Sequence, residues 1–325
     1  MMISLGLVLI GLVLLVGGGE LLLRGAVSLA TLARVTPAVI GLTVVAAGTS
    51  VPELAVSLIA ALRGSEAVAI GNIVGSNIFN LTCILGLAAI IRPLVIGGNT
   101  IRLEYPVLAL VTLLYLTVSH DGTIDRLDSA LFIAIYAGFT AYLVVLVRKQ
   151  MSPVEEHKQD LAVKELAQAN PRSSGLLALG LVGAGVALLV GGAQATVTGA
   201  IELGRAWGMS ERIIGLTIVA GGTGLPEVVT SLVSSVRGRD DVAVGNVIGS
   251  NLFNILGTLG LSGLVRPVRV PSEIIVGDNL WMLGLTLLLF PVMFTGRRIG
   301  RSEGVLLLAC YGLYLFVLLG RTTVA

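Results

Sequence analysis

The chain has 325 residues and a net charge of +2, with 55% hydrophobic and 12% charged residues. Its mean hydropathy is +0.97. Soluble domains carry about 25% charged residues, so this composition excludes an ordinary soluble globular protein. The chain is predicted to be an all-α integral membrane protein of the plasma membrane.

A membrane-spanning helix needs about 17 to 25 apolar residues, and ten stretches are candidates. They form two sets of five: residues 3–24, 38–62, 67–91, 104–119 and 127–147, then 175–201, 212–236, 242–265, 276–295 and 303–320. The first stretch lacks a basic segment before it and an Ala-x-Ala site after it, which favours a span over a removable signal peptide. The polar segment 148–174 is predicted to be a solvated linker between repeats 1–147 and 175–325.

The two halves share a repeated sequence. GLTVVAAGTSVPELAVSLIAALRGSEAVAIGNIVGSNIFNLTCILGL starts at Gly41, and GLTIVAGGTGLPEVVTSLVSSVRGRDDVAVGNVIGSNLFNILGTLGL starts at Gly215, with 25 of 47 aligned positions identical. Because five spans are an odd number, the second copy must enter the membrane in the opposite orientation. The fold class predicted is therefore ten transmembrane helices in two inverted five-helix repeats, an architecture typical of secondary transporters.

Basic residues indicate the orientation. If the N-terminus lies outside, 14 of the 21 Lys and Arg residues fall in inner loops or at inner helix ends. Cytoplasmic loops carry an excess of Lys and Arg. We therefore expect both termini outside and the linker 148–174 in the cytoplasm.

Each repeat carries a glutamate near the middle of an apolar span, Glu53 in GTSVPE and Glu227 in GTGLPE. An acid at this depth costs about 2.5 to 3.5 kcal/mol on insertion scales, so it requires a functional reason. A proline precedes each glutamate and is expected to break or kink the helix, freeing backbone carbonyl oxygens. Broken helices of this kind form cation sites in secondary transporters.

Other oxygen-bearing residues fall on the same helical faces as the two glutamates. In the first broken helix the face holds Ala46, Thr49, Ser50, Glu53 and Ser57, and in the second it holds Ala220, Thr223, Gly224, Glu227 and Ser231. The next span of each repeat adds a polar stripe, Asn72, Ser76 and Asn80 in one and Asn246, Ser250 and Asn254 in the other. An all-oxygen set without His or Cys favours hard cations: Ca²⁺, Na⁺ or, less readily, Mg²⁺.

The two carboxylates also favour exchange over free-running transport of one ion. Their charge balances one Ca²⁺ or two Na⁺, so unlike ions can compete for the same ligands. Carrying both carboxylates unpaired through an occluded state is costly, so loaded forms should cross more readily than empty ones.

With these motifs the chain resembles the Ca²⁺/cation antiporter superfamily, and most closely its sodium/calcium exchangers of prokaryotic size. The resemblance rests on GTSVPE with GSNIFN and on GTGLPE with GSNLFN. It implies ion sites where the second, third, seventh and eighth helices meet. The implied ligands are Glu53 and Glu227 as shared carboxylates, carbonyls of Ala46 and Ala220, hydroxyls of Thr49, Ser50, Thr223, Ser76 and Ser250, and the central Asn80 and Asn254.

The chain departs from the family pattern at two points. Many members have serine where this chain has Gly224, and many have aspartate at the position of Asn254 or Asn80. Only two carboxylates therefore remain at the centre, and one sodium-type hydroxyl is missing. These differences leave open whether Na⁺ or H⁺ is the coupling ion.

The leading hypothesis is a non-enzymatic antiporter that moves Ca²⁺ out of the cytoplasm in exchange for Na⁺. The alternatives are an H⁺/Ca²⁺ antiporter and a cation channel. An intramembrane acid protease is disfavoured because every aspartate is predicted in a loop or at a helix end. Inorganic cations and the bilayer are the expected partners, with no cofactor, no nucleic acid and no obligatory protein partner.

Overall fold

The computed structural model describes residues 2–32, 46–98, 100–150, 175–238 and 240–320, and these are mostly helical. The first half contains α1 (Met2–Leu32), α2 (Ala46–Thr49), α3 (Val51–Leu62), α4 (Glu66–Phe79), α5 (Leu85–Ile91), α6 (Tyr105–Val118) and α7 (Arg126–Gln150). The second contains α8 (Gly175–Ala206), α9 (Glu211–Ile214), α10 (Ala220–Thr223), α11 (Leu225–Val236), α12 (Asp240–Leu252), α13 (Gly260–Val265), α14 (Asn279–Phe294) and α15 (Arg301–Gly320). Short 3-10 turns occupy Ser119–Asp121 and Thr295–Arg297.

Seven of the described helices are long and apolar enough to span a membrane, and a bent pair, Glu211–Thr223 with Leu225–Val236, makes an eighth. The predicted span 127–147 corresponds to α7, and the predicted span 38–62 is described only from residue 46. Most of the linker, from residue 151 to 174, lies outside the described residues. The count of ten spans therefore stays a prediction.

Helices α1 and α8 pack along a line of glycines spaced seven residues apart. A Cβ atom on Gly18 would lie 2.9 Å from the carbonyl oxygen of Gly185, and one on Gly11 would lie 2.8 Å from that of Gly192. Residue numbers rise along α1 while those of its neighbours fall along α8, so the helices are antiparallel, as inverted repeats require. Small residues allow this close approach in lipid, where no hydrophobic force drives helices together.

Helix α1 also contacts the broken helices of both repeats. A Cβ atom on Gly48, at the end of the first repeat's α2, would lie 2.8 Å from Leu23 of α1. The equivalent atom on Gly222 in α10 would lie 2.7 Å from Leu12. The α1–α8 pair therefore lies directly against the segments that carry the two Pro-Glu motifs.

Two short antiparallel sheets join the repeats. β1 (Leu94–Val95) pairs with β4 (Arg298–Ile299), and β2 (Thr123–Ile124) pairs with β3 (Val268–Arg269). Each strand of the first repeat thus pairs with a strand of the second, which ties the two halves together beyond their helices.

In each repeat, a π-helical turn interrupts the span that follows the Pro-Glu helix and carries the polar stripe. Five such turns occur in the described residues: Asn80–Ile84, Thr100–Glu104, Gly215–Val219, Phe253–Leu259 and Ile274–Asp278. The first includes Asn80, and the fourth includes Asn254. Such turns are frequent at functional sites because they shift side chains out of the regular helical register.

Candidate cation site

The Pro-Glu helices break where the sequence predicts. The break falls at Ser50, with φ −92° and ψ 11°, and at the equivalent Gly224, with φ −75° and ψ 4°. In both repeats the next helix has its proline in the first turn, where a missing N–H is tolerated. The two parts of the second broken helix meet at 47°. Glu227 lies in the first turn of α11, directly after the break.

Both glutamates are buried, each with only 1% of its surface exposed. One carboxylate oxygen of each, Oε2, has no hydrogen-bond partner. Burying a charged group without a partner costs several kcal/mol. Both side chains therefore require a positive charge, either a bound cation or a proton.

Residues from both repeats surround Glu227. Ser50, from the first repeat, donates a hydrogen bond of 2.8 Å to Glu227 Oε1. Ser250 Oγ lies 3.0 Å from Ser50 Oγ and 3.5 Å from the same carboxylate oxygen. Because Ser50 directly precedes the helix that carries Glu53, this contact brings the two Pro-Glu motifs together.

The surroundings of Glu53 differ. Gly224 stands at the position equivalent to Ser50 and has no hydroxyl to donate. Ser76, equivalent to Ser250, is fully buried with no hydrogen-bond partner for its hydroxyl. The absence of one hydroxyl at Gly224 thus makes the two halves of the site unequal.

A second set of contacts crosses between the repeats through threonine and asparagine. Thr223 donates to Asn72 Oδ1 at 3.2 Å, and the equivalent Thr49 lies 3.4 Å from Asn246 Oδ1. Within each repeat, Asn72 donates to Ser57 at 2.9 Å, and Asn246 donates to Ser231 at 3.2 Å. Asn72 and Asn246 each therefore connect the helix that carries them to the broken helix of their own repeat and to the broken helix of the other repeat.

Two asparagines that the sequence reasoning did not select, Asn77 and Asn251, lie at the centre. Asn80 donates to Asn251 Oδ1 at 2.9 Å, and Asn254 donates to Asn77 Oδ1 at 3.2 Å. These equivalent contacts link each central asparagine to the opposite repeat. The signal was present in GSNIFN and GSNLFN, which contain an asparagine three residues before the central one.

The two alanines predicted as carbonyl ligands begin the short helices α2 and α10. The carbonyl oxygen of Ala220 already accepts a hydrogen bond from the Gly224 N–H at 3.1 Å. In this conformation Ala220 is therefore a weaker candidate ligand than the side chains around it.

The centre thus contains oxygen atoms that accept no hydrogen bond and are available to a cation. Five buried oxygens from predicted ligands have no hydrogen-bond partner: Glu53 Oε2, Glu227 Oε2, Ser76 Oγ, Asn80 Oδ1 and Asn254 Oδ1. No cluster of three or more His, Cys, Asp or Glu side chains occurs among the described residues. A set of two carboxylates with neutral oxygens suits Ca²⁺ or Na⁺ better than a transition metal.

Two other acids have different surroundings. Glu20 in α1 is about half exposed and forms an ion pair of 2.6 Å with Arg24. Asp278 lies at the N-terminal end of α14, as the sequence predicts, but it is buried and falls within the candidate span Ile274–Arg297. The nearby guanidinium of Arg212, 3.3 Å away, compensates its charge and permits this position.

This combination of inverted repeats, broken helices and a buried oxygen site between them defines a membrane cation transporter. Comparison of the chain with known protein families identifies its family. The family model for "sodium/calcium exchanger protein" matches residues 3–145 and 177–320. The chain belongs to this family, which confirms the resemblance drawn from the repeated motifs.

Several relatives and solved structures match over nearly the whole chain. Inner membrane protein YrbG of Escherichia coli is 34% identical, covering 98% of this chain and 97% of that protein. Sodium/calcium exchanger MaX1 of Methanosarcina acetivorans is 30% identical, covering 96% and 97%. A structure of the sodium-calcium exchanger NCX_Mj, soaked with Na⁺ and Sr²⁺, matches with a TM-score of 0.64 and 29% identity over 97% of this chain and 98% of that one.

Proposed function

We propose that this protein is a secondary active antiporter that exchanges Ca²⁺ for Na⁺ by alternating access. The observation that carries the proposal is the pair of buried glutamates, each with an unpartnered carboxylate oxygen, one in each repeat. Membership of the sodium/calcium exchanger family supports both substrates. Ca²⁺ and Na⁺ are the transported substrates, and the mechanism needs no cofactor.

The cations bind to the residues predicted from the two repeated motifs. Glu53 and Glu227 supply the negative charge, and Asn80 and Asn254 supply central carboxamide oxygens. The remaining ligands are Thr49, Ser50, Ser76, Thr223 and Ser250, with carbonyls of Ala46 and Ala220. Two charges can be balanced by one Ca²⁺ or two Na⁺, and this competition couples the two fluxes.

Transport into proteoliposomes tests the proposal. Purified protein is reconstituted in vesicles loaded with Na⁺ and diluted into Na⁺-free buffer that contains radioactive Ca²⁺. We expect Ca²⁺ uptake that depends on the outward Na⁺ gradient and stops when the gradient is removed. Uptake that follows an imposed pH gradient and ignores Na⁺ would replace this function by H⁺/Ca²⁺ exchange, to which the missing hydroxyl at Gly224 points.

The missing hydroxyl leads to a gain-of-function prediction. In Gly224→Ser the new Cβ would lie 3.2 Å from the Ala220 carbonyl oxygen and 3.4 Å from Phe79, so a small side chain needs only a slight adjustment. The hydroxyl would face Glu53 as Ser50 faces Glu227. We expect the Na⁺ concentration for half-maximal exchange to fall about threefold to tenfold, the effect of one added oxygen ligand.

Gly221→Ser is the matched control for this substitution. Gly221 lies in the same short helix, and no atom of a described neighbouring segment lies within 4 Å of a Cβ atom added there. Its Na⁺ dependence should equal that of the wild type. An unchanged Na⁺ dependence in Gly224→Ser would contradict the assignment of this position to a sodium site.

We also propose that repeats 1–147 and 175–325 insert in opposite orientations, with both termini outside and the linker 148–174 in the cytoplasm. The excess of Lys and Arg on the inner side supports this orientation. Single cysteines introduced as Asp121→Cys and Ser152→Cys, in a Cys83→Ser and Cys310→Ser background, report the side of each loop. A membrane-impermeant maleimide applied to intact cells should label Asp121→Cys only, and the reverse pattern would invert the topology.

A further inference from the structure

We propose that Asn77 and Asn251 are positioning residues that orient the carboxamides of Asn254 and Asn80 so that their oxygen atoms are available to the bound cation. The inference rests on the proposed function, because it concerns the same ion site. Neither asparagine is needed as a ligand. Their role is to hold the side-chain NH₂ groups of the two central asparagines, so that these groups do not turn toward the ion.

The orientation of Asn80 follows from one unambiguous acceptor. Asn251 Nδ2 donates to the backbone carbonyl oxygen of Asn77 at 3.3 Å, and a backbone carbonyl can only accept. The Oδ1 atom of Asn251 must therefore be the one that meets Asn80, which donates to it through Nδ2 at 2.9 Å. Asn80 Oδ1 is left buried and without a partner.

A weaker acceptor orients Asn254 in the same way. Asn77 Nδ2 lies 3.6 Å from the thioether sulfur of Met282, which accepts hydrogen bonds weakly and donates none. Asn77 Oδ1 then accepts from Asn254 Nδ2 at 3.2 Å, and Asn254 Oδ1 is left buried and without a partner. A thioether competes less strongly than a carbonyl, so Asn254 is the less firmly oriented of the two.

The arrangement explains why two carboxamides suit this chain at the central positions. A flipped carboxamide would turn two N–H donors with partial positive charge toward the cation, which repels it. The crossed contacts prevent this flip and supply two carbonyl-type oxygens without adding charge. The site therefore keeps two negative charges, as many as one Ca²⁺ carries in positive charge.

Double-mutant cycles test the inference on the purified full-length chain. Calcium dissociation constants are measured by calorimetry, and the Ca²⁺ KM and maximal exchange rate are measured in proteoliposomes. We expect Asn77→Ala and Asn251→Ala each to weaken Ca²⁺ binding about tenfold, the effect of one lost ligand-orienting hydrogen bond. KM should rise while the maximal rate stays within about twofold, since the charged ligands are untouched.

The crossed geometry predicts which pairs are coupled. Asn77→Ala should add nothing in an Asn254→Ala background but keep its full effect in an Asn80→Ala background. Asn251→Ala should show the reverse pattern. Residues that act through one another give non-additive effects, whereas a general loss of packing would weaken binding in both backgrounds alike.

Met282→Leu provides a second, milder test that leaves every asparagine in place. The substitution conserves volume, so the fold should persist, but it removes the acceptor that orients Asn77. We expect Ca²⁺ binding to weaken about twofold to threefold, and this effect should vanish in an Asn77→Ala background. Leu285→Met, at a buried position of the same helix, is the control and should bind Ca²⁺ like the wild type.

The outcomes separate this inference from the proposed function. If the wild type binds and transports no Ca²⁺, the proposed function fails. If the wild type binds Ca²⁺ and both Asn77→Ala and Asn251→Ala bind it equally well, the positioning role is overturned and the function stands. The same conclusion follows if each of these substitutions weakens Ca²⁺ binding alike in the Asn80→Ala and Asn254→Ala backgrounds.

Discussion

Replacing either buried glutamate by glutamine should remove Na⁺-driven Ca²⁺ uptake almost completely. Glu53→Gln and Glu227→Gln keep the size of the side chain but halve the negative charge of the site, so a Ca²⁺ ion would retain an unbalanced charge in a buried environment. Breaking a buried charge pair costs about 3 to 5 kcal/mol. We expect Ca²⁺ uptake to fall at least about 100-fold at sub-saturating Ca²⁺.

Radioactive Ca²⁺ uptake into proteoliposomes measures this effect, and Glu20→Gln is the matched control. Glu20 also lies in a spanning helix, but it is about half exposed and paired with Arg24. Its loss should change uptake by less than about twofold, because an exposed ion pair contributes little. Size-exclusion profiles in detergent should show all three variants folded. If Glu53→Gln or Glu227→Gln takes up Ca²⁺ as fast as the wild type, the assigned role of that carboxylate is refuted.

The second large effect is expected at the glycine contact between α1 and α8. In Gly192→Leu the new Cβ would lie 2.8 Å from the carbonyl oxygen of Gly11 and 2.9 Å from the backbone nitrogen of Leu15. Backbone atoms cannot move aside as side chains do, so the helices must separate. Overpacking a tight contact typically costs about 1 to 3 kcal/mol, and a clash with backbone lies at the upper end or above it.

The neighbouring Gly191→Leu is the control, since it changes the same residue type in the same helix. Gly191 is exposed, with no atom of a described neighbouring segment within 4 Å of an added Cβ. We expect Gly192→Leu to lower the thermal midpoint in detergent by several degrees relative to Gly191→Leu, and to reduce transport because the pair lies against both broken helices. Equal midpoints for the two variants would show that this contact tolerates separation.

The broken helices show how far local sequence signals reach. Proline removes a backbone donor and clashes with the preceding turn, so the interruption before Glu53 and Glu227 follows from the residue itself. The cost of a buried acid likewise marks both glutamates as functional candidates whatever their neighbours are. The repeat then predicts the inverted architecture, and family membership confirms the exchanger fold.

The contacts between repeats could not be read in the same way. Ser50 meets Glu227, and Asn80 meets Asn251, across more than 170 residues of sequence. Asn77 and Asn251 look like any other polar residue of the repeated motif until their partners are known. The π-helical turns at Asn80 and Asn254 were also missed, because apolar periodicity predicts only uninterrupted helices there.

Composition and local chemistry were enough to establish a membrane protein with duplicated halves, two broken helices and two buried acids. These properties depend on the apolar content of the chain and on the covalent structure of proline and glutamate, which act over a few residues. Which oxygen atoms are left without partners depends instead on the folded arrangement. Side chains of opposite repeats consume one another's hydrogen-bonding capacity, and this happens only when both repeats are folded against each other.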